Sequence, residues 1–266
     1  MRAINSFGFT KDIIAMNDAE KNNEKKPERI SKCLSRAGIC SRREAERWIA
    51  EGRVMVNGKR LKDPVCLVTD EDKIKVDGKL IPGKDQTRVW RYHKPAGLVT
   101  SNADEKGRTT VFDQFPPELP RVMTVGRLDI TTEGLLLLTN DGELARFLES
   151  PKTGWIRRYR VRAYGRIDDA ALKKLKRGVT IDGITYQPID AKLEKEQGDN
   201  NWLNVAIKEG KNREIRNVME YLGLKVNRLI RTSYGTFQLG NLPRTGIEEV
   251  TTKVLKATLG NKWQLK

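Results

Sequence analysis

Histidine is almost absent from this chain: His93 is the only one in 266 residues. That argues against a histidine-built zinc site, and it leaves acid–base chemistry away from His93 to a carboxylate, Lys, Tyr or Cys. Cysteine is nearly as scarce. Cys33, Cys40 and Cys66 are odd in number and lack CxxC spacing, which fits a reduced cytoplasm and not a disulfide framework or a thiolate metal site. No apolar run reaches the roughly 18 residues that a transmembrane helix needs. Met1 to Met16 mixes Asn, Lys and Asp among its apolar residues, unlike a signal peptide. What the chain has is positive charge. Lys and Arg number 51 against 35 Asp and Glu, a net charge of +16, which favours a polyanionic partner, nucleic acid first. An acidic membrane surface competes less well, because no long basic amphipathic helix is visible.

Residues 1–27 read as a poorly ordered extension, polar and without apolar spacing. Residues 28–82 read as a small module. Ile30, Cys33, Leu34 and Ala37 recur at helical spacing before Gly38. Ser41 and Glu44 then form a capping box for a helix whose apolar face is Ala45, Trp48 and Ile49. Asn57-Gly58 and Asp77-Gly78 mark hairpin turns. Gly83–Thr87 reads as a polar linker, and residues 88–266 as a larger domain. In that domain Arg88–Tyr92, Val122–Val125, Gly134–Thr139, Tyr159–Tyr164, Ile184–Leu193, Trp202–Ile207 and Val226–Thr232 read as strands. Glu143–Leu148, Asp169–Leu175 and Arg213–Leu222 read as helices, with Asn140 and Asp168 as N-caps. Strands outnumber helices without βαβ alternation, so the expected class is α+β with a mixed, mostly antiparallel central sheet.

The small module is basic where its helices meet: Arg36, Arg42, Arg43, Arg47 and Arg53, with Lys59 after the hairpin turn. Guanidinium groups suit bidentate phosphate contact, which positions an RNA without reading its sequence. The segments Arg29-Ile-Ser-Lys-Cys-Leu, Cys40-Ser-Arg-Arg-Glu-Ala, Gly52-Arg-Val, Val56-Asn-Gly-Lys and Asp72-Lys-Ile-Lys-Val-Asp resemble an S4 RNA-binding domain over residues 29–77. The resemblance implies binding of structured RNA and says nothing of catalysis.

Three segments of the larger domain stand out. Gly126-Arg127-Leu128-Asp129 follows an apolar strand. Tyr159 shares a strand face with Val161 and Ala163. Glu209-Gly-Lys-Asn-Arg213-Glu-Ile-Arg216 turns from a strand into a helix. Taken singly, Asp129 caps a turn, Tyr159 is core, and Arg216 is a surface arginine beside Glu220. Together with Tyr92-His-Lys-Pro-Ala-Gly97, Gly107–Asp113, Gly134–Gly142 and Val226–Gly235 they resemble the Rsu-type ribosomal pseudouridine synthases. Counting the S4 segments, the resemblance covers roughly residues 29–250. Arg228-Leu-Ile-Arg231, Tyr234-Gly235 and Asp168-Asp169-Ala are most similar to the B-type branch of the large-subunit synthases.

The resemblance implies that Asp129 is the catalytic aspartate, that Arg216 pairs with it, and that Tyr159 stacks on the target base. It places Arg127 and Arg213 among the RNA contacts and implies neither cofactor nor metal. Two positions depart from the pattern: Arg158 stands where Lys is common, and Asn217-Val218 where a second basic residue is common. The expected partner is ribosomal RNA, 23S in particular, or an assembly intermediate, met by a monomeric cytoplasmic enzyme. A small-subunit target, a base-releasing glycosylase and a non-catalytic S4-type assembly factor are the competing readings. His93 and Asp141 read as structural residues, Asp141 at a turn and helix start.

Overall fold

The computed structural model describes residues 27–83, 85–260 and 263. The expected N-terminal extension lies outside the described residues apart from Pro27, as does Lys84 of the expected linker. The chain divides into two compact units at residues 84 and 85.

The first unit begins with β1 (Glu28–Arg29), α1 (Ile30–Arg36) and α2 (Arg42–Ala50). The Ser41 hydroxyl accepts from the Glu44 amide while the Glu44 carboxylate accepts from the Ser41 amide, so the capping box is complete. Next come β2 (Val54–Val56), β3 (Lys59–Arg60), β4 (Leu67–Val68), β5 (Ile74–Val76) and β6 (Lys79–Leu80). The sheet order is β3-β2-β5-β6, with β1 paired to β4. Asn57-Gly58 and Asp77-Gly78 all have positive φ, as the tight turns of right-twisted hairpins require. Ile30, Leu34, Ala45, Ile49, Val54 and Ile74 form the core.

The second unit is built on one nine-stranded sheet, seven strands in the order β13-β14-β10-β15-β9-β7-β17, with β8 also paired to β9 and β16 to β15. Its elements are β7 (Val89–Lys94), β8 (Met123–Thr124), β9 (Thr132–Thr139), α3 (Gly142–Glu149), β10 (Arg157–Tyr164), α4 (Asp169–Lys174), β11 (Val179–Ile181), β12 (Ile184–Tyr186), β13 (Asp190–Lys195), β14 (Asn200–Ile207), α5 (Glu214–Tyr221), β15 (Lys225–Tyr234), β16 (Phe237–Gln238), β17 (Ile247–Glu249) and α6 (Thr252–Leu259). All pairings in the large sheet are antiparallel except β9 with β15. The class is thus α+β with a mixed, mostly antiparallel sheet.

β9 is buried at every position, which explains its unbroken Leu135–Leu138 run: both faces of the sheet are covered. Leu136 and Leu138 join Trp90, Tyr92 and Val161 on one side. Leu135 and Leu137 join Val89, Val125 and the α3 residues Leu144 and Leu148 on the other. Truncating any of the four leucines to Ala is expected to cost about 2–5 kcal/mol.

Three local expectations are corrected. Asp141, not Asn140, caps α3, accepting from the amides of Glu143 and Leu144. Asn140 is committed elsewhere: its side chain accepts from the Arg88 amide and donates to the Gln86 carbonyl. The single strand expected at 184–193 is two strands in different sheets. β12 pairs with β11 and β13 with β14, and Pro188 between them lacks the amide that a continuous ladder needs. The short elements β11 and β17 and the C-terminal α6 were not among the expected elements.

Candidate active site

A cavity of about 880 Å³ opens on the second unit. Asp129, Arg127, Tyr159, Arg157, Arg213, Glu214, Arg231 and Tyr234 are among the residues lining it. Asp129 sits in the loop just before β9. Its side chain is 31% exposed, enough to meet a ligand while partly withdrawn from water.

The loop is held from beneath by Lys94, the last residue of β7. Lys94 is fully buried, and its ammonium donates to the carbonyls of Pro95 (3.0 Å), Asp129 (3.2 Å), Ile130 (3.4 Å) and Thr132 (2.9 Å). Burial lowers its pKa to about 8, against the opposing pull of Asp129 and Glu133. Thr100 adds a second tie, its hydroxyl donating to the Leu128 carbonyl at 2.9 Å. Asp129 therefore projects from backbone fixed on both sides, as a reacting group must.

Gly134 fixes where the loop meets the sheet. Its φ is +102°, and a Cβ there would collide with the Arg231 backbone on β15. Only glycine permits β9 and β15 to approach this closely.

The arginine beside the carboxylate is not the expected one. Arg213 Nη1 lies 3.9 Å from Asp129 Oδ2. Arg213 is the N-cap of α5 and adopts a left-handed φ of 50°, a conformation costing about 1 kcal/mol or more in a residue with a Cβ. Arg216 makes no ion pair with Asp129 among the described residues. It donates to the carbonyls of Thr131 (3.3 Å) and Val226 (3.2 Å) and so braces the same loop through its backbone. Burial, then the neighbouring Arg213 charge, lower the Arg216 pKa, while Asp129 opposes them.

Tyr159 stands on β10, buried, directly across from Arg231 on β15. In phase with it, Arg157 is also buried. Arg157 donates to the carbonyls of Lys208 (2.7 Å) and Glu149 (3.1 Å) and to the Tyr234 hydroxyl (2.7 Å). The Arg157 and Arg231 guanidiniums lie 4.8 and 5.2 Å from the Tyr234 ring centroid, within cation–π range. Glu214, unlike Asp129, is a buried carboxyl lining the cavity. Burial pushes its pKa up to about 7, although the Lys211 amide it accepts from opposes the rise. The wall thus holds a partly exposed carboxylate, a tyrosine, and several arginines. That set can act on a sugar carbon or its protons, seat an aromatic ring, and balance anionic charge.

The remaining sites fall into two groups. Arg127 is exposed at the cavity. In the first unit, Arg42 and Arg43 are exposed and make no ion pair among the described residues; Lys59 is exposed as well. Arg47 has only loose pairs with Glu44 and Glu51, at 3.5 and 3.8 Å. Arg36 and Arg53 differ. Arg36 pairs with Glu28 at 2.7 Å, and Arg53 pairs with Asp77 at 2.6 Å while stacking on Trp48. Both are tied within the unit and are less free to reach a phosphate. His93 lies outside the cavity lining, its Nδ1 2.8 Å from the Leu242 carbonyl oxygen.

Lys94, Arg157, Glu214, Arg231 and Tyr234 were not among the expected site residues. For Arg157 the strand alternation held a signal, since it shares the inward phase of Tyr159, Val161 and Ala163.

A profile of the RNA pseudouridylate synthase family matches residues 88–221, and one of the S4 domain matches residues 28–74. An RNA pseudouridine synthase of Rickettsia felis, itself described as uncharacterized, is 48% identical over 229 residues, 86% of this chain and 99% of that protein. The ribosomal large subunit pseudouridine synthase B of Yersinia pestis is 44% identical over 234 residues, 85% of this chain and 73% of that one. A crystal structure of a pseudouridylate synthase is similar with a TM-score of 0.60 at 27% identity, covering 86% of this chain and 98% of that one.

Proposed function

The chain belongs to the RNA pseudouridylate synthase family, and from that premise we propose that it isomerises a uridine of 23S ribosomal RNA, with Asp129 as the catalytic carboxylate. The observation carrying this reading is the Asp129 side chain, partly exposed within the cavity with a guanidinium 3.9 Å away. The relative named for the large ribosomal subunit supports the choice of RNA. The S4 domain supplies a second RNA-binding surface.

The reaction breaks the N1–C1′ bond, turns the uracil, and joins C5 to C1′. C5 loses a proton and N1 gains one, so product and substrate are isomers and no oxidant, reductant or co-substrate enters the balance. Asp129 acts on the ribose, either by attack at C1′ or by taking the C2′ proton. The target uridine leaves its stack, and Tyr159 offers the ring a new one and a base for the C5 proton. Arg213 sets a positive charge beside the carboxylate, 3.9 Å away. Arg127 and Arg213, exposed at the cavity, and Arg42, Arg43 and Lys59 on the first unit meet the RNA backbone. The protein works in the cytoplasm as a monomer, on free RNA or an assembly intermediate.

The test is pseudouridine mapping of both ribosomal RNAs by carbodiimide modification and primer extension. Cells lacking the protein are compared with cells complemented by wild type or Asp129→Asn. One 23S site lost on deletion, and restored by wild type alone, is the expected result. A lost small-subunit site would move the target to that RNA. Persistence of every site would favour the non-catalytic assembly-factor reading.

A further inference from the structure

Resting on the proposed reaction, we infer that Arg231 is a further catalytic residue, whose free guanidinium nitrogen holds the uracil ring while it is detached from the ribose. Arg231 is 3% exposed. Its Nε donates to the Leu135 carbonyl at 2.7 Å, but its Nη2 is buried without any hydrogen-bond partner. No carboxylate lies within ion-pair range of it among the described residues. Arg157 is its contrast: both of its terminal nitrogens bond to protein oxygens. A buried guanidinium with an unmatched donor and no counter-charge is unfavourable unless a ligand completes it.

Position identifies the ligand. Arg231 lines the cavity and faces Tyr159 across adjacent strands. A base stacked on Tyr159 therefore comes beside Arg231. When the N1–C1′ bond breaks, its electron pair leaves with the base. Until C5–C1′ forms, the uracil carries negative charge shared between N1 and its carbonyl oxygens. A guanidinium N–H that turns from its buried position to such an oxygen bonds the detached anion more strongly than the neutral uridine, which is the condition for accelerating the step. A phosphate would find other partners first, because Arg127 and Arg213 are exposed at the same cavity whereas Arg231 is enclosed.

The test uses the full chain and tritium release from 23S transcripts carrying [5-³H]uridine. Arg231→Gln is expected to lower kcat by roughly 10²–10³-fold, the scale seen when one such donor is removed. KM and its salt dependence should stay within about threefold of wild type, taking steady-state scatter as the allowance. Arg231→Ala should regain part of its kcat with added guanidinium ion. Arg127→Gln is the control: it should raise KM and flatten the salt slope by about one, as loss of one phosphate contact does. A folded Arg231→Gln with wild-type kcat would overturn the inference. So would a changed salt slope with kcat intact, which marks a phosphate contact. Lost activity that tracks lost thermal stability, with no guanidinium rescue of Arg231→Ala, would also overturn it by marking a structural role. An inactive wild type would instead sink the proposed reaction, and this inference with it.

Discussion

Replacing Lys94 by Met should abolish a pH dependence of stability that the wild-type chain carries. Lys94 is fully buried under the Asp129 loop, and burial lowers its pKa from 10.5 to about 8. The folded chain then holds the proton less tightly than the unfolded chain. Unfolding takes up a proton between those two values, so stability rises as pH rises through them. At about 1.4 kcal/mol per pH unit, the charged ammonium costs the fold about 3 kcal/mol at neutral pH. Between pH ~7.5 and pH ~9.5 about 2 kcal/mol of that returns. Methionine fills a similar volume and does not titrate. It deprives the carbonyls of Pro95, Asp129, Ile130 and Thr132 of a donor, but Asp129 and Ile130 keep the Thr132 and Gly97 amides. The variant is thus expected to fold. The assay is urea unfolding at the two pH values, followed by tryptophan fluorescence, to which Trp90, Trp155, Trp202 and Trp263 of the second unit contribute beside Trp48 of the first. Wild type should gain about 2 kcal/mol on going to high pH relative to Lys94→Met. Parallel pH profiles for the two proteins would refute the reasoning.

Other outcomes follow from the same geometry. Gly134→Ala sets a Cβ against the Arg231 backbone at a φ of +102°. A loss of 3 kcal/mol or more, on the order of the strain and overpacking costs combined, should appear in thermal melts; unchanged melting would disprove the close approach. Glu214 is a carboxyl raised to about 7 by burial, so it favours folding at low pH and loses that contribution as pH rises from its unfolded value through 7. Glu214→Gln should remove the decline between about pH 4.5 and 7 by up to roughly 3 kcal/mol, read by denaturant titration across that range. In the first unit, Arg42→Ala with Arg43→Ala should weaken RNA binding and reduce its salt slope by about two, whereas Arg53→Ala should act on the ion pair with Asp77. Equal salt slopes for the double variant and wild type in filter binding would remove these arginines from the interface.

Local rules made part of this molecule legible in its sequence. The Ser41–Glu44 capping box and the two hairpin turns depend on neighbouring residues alone, and they stand as read. The split of 184–193 has its own mark in the sequence, Pro188, a residue without an amide for the ladder. The α3 cap went to Asp141 because a distant strand start, Arg88, claimed Asn140. Charge roles were harder to read. Arg36 and Arg53 count as free basic residues in the sequence, yet folding brings Glu28 and Asp77 to them. Arg213 and Arg216 differ by three positions on one turn, and only the left-handed residue at 213 decides which guanidinium meets Asp129. Lys94 and Arg231 lie in strands of mixed polarity, VWRYHK and KVNRLIRTSY, and what each buried cation faces depends on strands far away in the chain.

The place of β15 in the sheet bears on when the site comes into being. β7 and β9 carry Asp129 on one antiparallel ribbon, and β10 and β14 carry Tyr159 on another. Only β15, residues 225–234, joins the two, pairing antiparallel with β10 and parallel with β9. A ribosome that has synthesised as far as α5 has made every residue of the Asp129–Tyr159–Arg213 set but not the strand that brings them together. Such long-range closure is slow compared with forming either ribbon. Neither ribbon alone is therefore a site: the Asp129–Tyr159–Arg213 set assembles only once β15 has been made and has paired along both of its edges.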